Sequence, residues 1–291
     1  MHVKSRQVQA PQLRRVDPVR VVTIAPSKGW ATISLGELWA YREVIFLLAL
    51  RDIRVRYKQT VFGAAWAILQ PFATMVIFSV IFGRIAQMPS DGIPYPVFIF
   101  AALVPWMYFS NSVSKGSNSL VGNAGIVTRI YFPRLAMPLS AILGNTIDFA
   151  LAFLMLLVLM TYFGVTPTAN VVWLPLLLLL AFATAFGVSL VLAAMNVQFR
   201  DVGHAVPFLL QLAMFATPVV YPASLIKDPV WQFVYALNPM VGVVEGFRWA
   251  LLGTDTAPGP MIAVSSVVAV ALVFGGARYF KRIERTFADV V

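Results

Sequence analysis

The chain has 291 residues, of which 59% are hydrophobic and only 12% charged, where a soluble domain carries about 25% charged residues. With no cysteine and only two histidines, His2 and His204, it has no means of forming disulfides, thiol chemistry or a histidine-built metal cluster. Its net charge of +10 would fit a nucleic-acid partner, but the basic residues alternate with apolar runs long enough to cross a bilayer, which excludes that reading.

Residues 1–33 are rich in proline and arginine and lack the continuous apolar core of a cleavable signal peptide. They read as a mostly disordered cytoplasmic tail. Ser34 and Glu37 form a capping box that opens a basic helical segment over 34–60. Its uninterrupted apolar core, Val44 to Leu50, is too short to span, and Arg51, Asp52, Arg54, Arg56 and Lys58 follow without gathering on one face. The expectation is a bend near Leu50, with the first half in the membrane interface and the second in the cytoplasm. Such a segment serves as a topology-setting anchor or as a docking surface.

Six runs are long and apolar enough to cross: Ala64–Gly83, Pro96–Val113, Leu139–Gly164, Val171–Val197, Ala205–Pro222 and Pro260–Ala277. Asp148 alone lies deep within one of them. Lys and Arg number eleven before residue 64, three over 115–138, one over 198–204 and four after residue 277. The other three junctions hold one (Arg84), none, and two (Lys227, Arg248). This asymmetry places both termini in the cytoplasm. The fold class is therefore all-α and polytopic, with a six-span domain over 61–285 and a short cytoplasmic end, 286–291.

NPMVGVVEGFRWALLG, Asn238 to Gly253, has a capping Asn238, a first-turn Pro239 and a terminating Gly253. From Pro239 to Leu252 it would rise about 21 Å, short of a hydrocarbon core of about 30 Å. Were it to cross, Arg278, Lys281, Arg282 and Arg285 would land outside. Together with the preceding PVWQFVYAL it predicts a re-entrant hairpin over 229–252 on the outer side, packed against protein or a water-filled mouth. Trp231, Tyr235, Asn238, Pro239, Glu245 and Arg248 are its candidate gate residues; the alternative is a cap that seals the bundle. Glu245 and Arg248, three apart, face each other on one flank. At a wet mouth such a pair is worth about 0–1 kcal/mol, whereas a buried pair costs about 3–5 kcal/mol to break.

No phosphate-binding loop G-x-x-x-x-G-K-[ST] occurs, no relay of intramembrane carboxylates or histidines, and no nucleophile–base set. Asp148, flanked by Asn145 and Thr146, is either a pathway residue or a carboxylate tied to a neighbouring helix. Trp66, Phe72 and Phe109 are pathway candidates, their rings suited to stacking on sugar. Trp106, Tyr108, Trp173 and Tyr221 sit near span ends, where interfacial anchoring accounts for them. The energy for any transport comes from elsewhere.

RYKQTVFGAAWAILQPF, RIYFPRLAMPL, NVQFRDVGHAVPF, PVVYP and NPMVGVVEGFRWALLG, in that order among six spans, resemble the permease subunit of type-2 ABC exporters that move O-antigen, capsule and teichoic acid. The resemblance covers roughly residues 35–285. It implies a bacterial inner-membrane homodimer around a central conduit, two copies of a separate ATPase that carries ATP and Mg, and a lipid-linked polysaccharide as cargo, with no cofactor on this chain. Arg129, Tyr131, Phe132, Pro133 and Arg134 in one loop, and Arg200 with Asp201 in another, are the candidate sites of ATPase coupling; positive-inside anchoring is their alternative. An exporter of small hydrophobic molecules shares the architecture, and a membrane-embedded glycan-processing enzyme is the remaining class.

Overall fold

The computed structural model describes residues 35–58, 63–127, 129, 132–254, 259–284 and 287. The tail 1–33, Ser34 and Tyr131 lie outside the described residues, as does the end 286–291 apart from Phe287. Among the described residues the fold is helical, with no strand.

Two helices precede the first span: α1 (Leu35–Ala40) and α2 (Arg42–Lys58). The expected bend near Leu50 is absent; α2 runs unbroken through it, and the break falls at Tyr41. Packing explains the continuity, because Ile45 and Ala49 bury against the body while α2 lies along α6. Next, α3 (Trp66–Phe78) continues as a π-helix, Ser79–Ile85, to make one span. The second span is α4 (Tyr95–Asn118), and α5 (Ala124–Val127) is a single turn in the following loop. The third, Ala136–Tyr162, is α6 (Ala136–Gly144) and α7 (Thr146–Tyr162), interrupted at Asn145. Then come α8 (Leu174–Gln198), α9 (Asp201–Phe215), α10 (Pro229–Ala236), α11 (Pro239–Leu252) and α12 (Gly259–Ile283).

Among the described residues, five helical segments are long and apolar enough to cross a membrane. The expected fifth span, Ala205–Pro222, differs: its helix is α9, only 15 residues. Thr217-Pro218 explains the stop, since the residue before proline avoids the helical region and proline lacks the N–H to extend the ladder. Ala216–Pro222 is turn and extended chain instead.

The core is built around α4, of whose most apolar stretch 78% is buried, against 11% for the span Trp66–Ile85. Around α4 pack α8, α11, α7, α6 and α3. The tightest crossing is α8 on α12: a Cβ at Gly187 would stand 2.6 Å from the Leu272 carbonyl carbon, and one at Gly276 would stand 2.5 Å from the Gly187 oxygen. With lipid as apolar as leucine, backbone approach of this kind supplies the attraction between helices.

Candidate functional site

The pair α10–α11 forms the helix–turn–helix that the sequence predicts, with the predicted bounds for α11. Asn238 accepts from the Met240 N–H at 3.1 Å, and Gly253 closes the helix at φ 69°, the left-handed conformation glycine tolerates best. The two halves differ in surroundings. Along α10, Val230, Trp231 and Phe233 are exposed, and Tyr235 meets Tyr221 hydroxyl to hydroxyl. Nearly all of α11 is buried.

Arg248 is fully enclosed, 0% exposed. Its Nη1 donates to the Glu245 carboxylate at 2.9 Å, so the spacing argument holds. The pair is sealed, however, and the weak contact of a wet mouth does not describe it. Nη1 also donates to the Pro218 carbonyl at 2.6 Å and the Tyr221 carbonyl at 3.2 Å, and Nη2 to the Val219 carbonyl at 2.7 Å. Nε reaches the Phe98 carbonyl at 3.3 Å, with the guanidinium 3.6 Å from the Phe98 ring centroid. Tyr95 donates to the Val220 carbonyl at 2.7 Å. Four consecutive carbonyls of the unwound stretch after α9 thus find side-chain donors, the requirement for irregular backbone at membrane depth. The Arg248 and Glu245 of the expected gate are the staple of this stretch; Tyr95 escaped the sequence reading because nothing local marks it.

A second constellation lies at the end of α4 that carries Lys115. Asp148 accepts from the Arg56 guanidinium and from the Tyr57 hydroxyl. The Lys115 ammonium stands 3.8 Å from the same carboxylate and donates to Asn145 Oδ1 at 2.6 Å. Burial, then the hydrogen bond to Asp148, push Tyr57 up to about 12, so it remains a neutral donor at neutral pH. These groups line a cavity of about 300 Å³ with Trp66, Gln70, Tyr108 and Asn111. The fold therefore joins three residues chosen separately from the sequence: Arg56, Trp66 and Asp148. Phe72 and Phe109 do not line it; Phe109 is buried against Trp106, centroids 5.5 Å apart. Lys115, Tyr57 and Asn145 were not selected. The polar run Asn145, Thr146, Asp148 inside an apolar segment was the available signal.

The expected coupling residues separate in the same way. Arg129, Arg200 and Asp201 are exposed, and Phe132 is buried. Arg134 donates to the Glu284 carbonyl at 2.5 Å and lies over the Phe287 ring, bracing its loop against the end of α12. The Arg200 loop is braced by Asn196, which donates to the Ser117 carbonyl and Asn118 Oδ1, each at 3.0 Å, and accepts from the Gly203 N–H at 3.0 Å. On α2, Arg51 binds Asp52 and Asn123 Oδ1, both at 2.7 Å, while Arg54 and Lys58 are exposed.

Among the described residues, five long apolar helices, a helix–turn–helix with one buried half, and exposed charges on short braced loops fit a polytopic membrane protein. The chain belongs to the ABC-2 type transporter family, whose model matches residues 43–252. It is similar to the O-antigen export system permease protein RfbA of Myxococcus xanthus, 32% identical over 259 residues, 88% of this chain and 98% of that protein. It is also similar to RfbA of Klebsiella pneumoniae, 26% identical over 89% of this chain and 97% of that one, and to the polysialic acid transport protein KpsM of Escherichia coli, 27% identical over 81% and 92%. Family membership implies a separate ATPase subunit as partner.

Proposed function

We propose that this chain is the permease of an ATP-driven exporter that moves a lipid-linked polysaccharide across the bacterial cytoplasmic membrane. The observation that carries this reading is likeness over nearly the whole chain to permeases named for O-antigen and polysialic acid export. Two copies pair, because the cavity of about 300 Å³ within one chain is far too small for a hydrated polymer, and α3 is left largely uncovered by its own chain. Two copies of the ATPase bind ATP and Mg; this chain contributes no cofactor.

The chain crosses six times, α9 and the unwound 216–222 together making the fifth crossing, with both termini in the cytoplasm. The Lys and Arg distribution supports this orientation. The loops bearing Arg129, Arg200 and Asp201 then face the ATPase. A short loop held by Asn196 transmits a push with little slack. Arg200→Ala with Asp201→Ala, assayed with the ATPase in liposomes, is expected to leave the permease folded and to lower transport per ATP hydrolysed at least several-fold. Transport and ATPase binding at the level of the unaltered complex would remove this loop from coupling.

A further inference from the structure

The charges around the cavity do not balance. Arg56 and Lys115 face the single carboxylate of Asp148, and among the described residues no other acidic side chain lines the space. Asp52, one turn back on α2, is taken by Arg51. The side-chain amides of exposed Gln70 and half-buried Asn111 also line the cavity, without a hydrogen bond among the described residues. A wall of two cations and spare amides around one carboxylate is arranged for a further anion. Its oxygens would find a guanidinium fork and an ammonium already close together.

The cavity's position selects the source of that anion. One wall is α3, through Trp66, Gln70 and Pro71, and α3 is the span least covered by the chain. A volume of about 300 Å³ is at the lower end of ligand-pocket size. It admits a phosphoryl group and what is directly attached to it, but no glycan chain. We infer that the cavity is a subsite for the phosphoryl group of the lipid anchor that carries the cargo, and that Asp148 is the internal anion holding Arg56 and Lys115 in place until that group displaces it. This rests on the export reading above.

The opposite signs of two substitutions separate this role from a purely structural ion pair. The full chain would be purified in a maltoside detergent, which has no phosphate of its own, and titrated calorimetrically with farnesyl diphosphate and with inorganic pyrophosphate. Farnesyl diphosphate is expected to bind at least tenfold more tightly than pyrophosphate. Lys115→Gln should weaken it roughly tenfold, the loss of one charge-assisted hydrogen bond, and Asp148→Asn should tighten it several-fold. Equal affinity for pyrophosphate would assign the site to a free phosphate and overturn the lipid source. Binding indifferent to Lys115→Gln, or weakened by Asp148→Asn in a protein that remains monodisperse, would make the cluster a strut between α2 and α7. If Asp148→Asn aggregates, Lys115→Gln decides alone. Diphosphate binding as expected, with no export of lipid-linked glycan by the assembled transporter, would leave the subsite standing and sink the export reading. Export without binding would do the reverse.

Discussion

A guanidinium sealed from water costs several kcal/mol to bury unless its N–H groups find acceptors. Arg248 meets that condition with one carboxylate and four backbone carbonyls. Its planar fork is essential, because donors in fixed directions are needed to serve Pro218, Val219 and Tyr221 together. Arg248→Ala is expected to destabilise the permease by about 3–5 kcal/mol, and Arg248→Lys to recover only part of the loss. Glu245→Gln should cost less, since the four carbonyls still hold the charge. Thermal unfolding in detergent, followed by loss of the monodisperse peak, ranks the three; a stable Arg248→Ala would contradict the staple. The i,i+3 contact with Glu245 was legible because helical spacing alone fixes it. The carbonyl partners were not, since they lie 27 to 30 residues upstream in chain or further, and a burial that depends on them leaves no local trace.

Helix limits were legible where end chemistry is written into the chain. Asn238, Pro239 and Gly253 mark α11 at both ends, and the structure keeps those bounds. The bend expected near Leu50 failed because charge onset does not end a helix; α2 continues with Arg51 and Arg56 satisfied by Asn123 and Asp148. The fifth apolar run is helical only as far as Phe215, since hydropathy counts Thr217-Pro218 as membrane-compatible while backbone geometry ends the helix before it. If α9 with 216–222 crosses, the two ends of this run face opposite sides. The native chain has no cysteine, so single cysteines report without background. Ser224→Cys should react with an impermeant maleimide added to spheroplasts, and Gln198→Cys only after the membrane is opened. Equal external labelling of both would show that the segment turns back.

At the scale of the whole molecule, the covering of the helices is uneven. α4 is enclosed, whereas only 11% of the span Trp66–Ile85 and 22% of α12 is buried within the chain. Lipid covers such a face without help, but a polymer route needs walls that one copy does not supply. The all-helical polytopic class was legible from composition and loop charge, and the exporter reading came from the resemblance of five short motifs. The cavity at Asp148 was not, because it joins residues about ninety positions apart.

Transport itself tests the central claim most directly. The permease would be reconstituted with its ATPase in inverted membrane vesicles, with lipid-linked glycan on the outer, cytoplasmic-equivalent leaflet and a glycan-cleaving enzyme outside. ATP with Mg is expected to render the glycan resistant to cleavage over time, while ATP without Mg leaves it sensitive. Glycan that stays fully cleavable while the complex hydrolyses ATP and protects a small hydrophobic dye instead would contradict the assignment of a polysaccharide cargo.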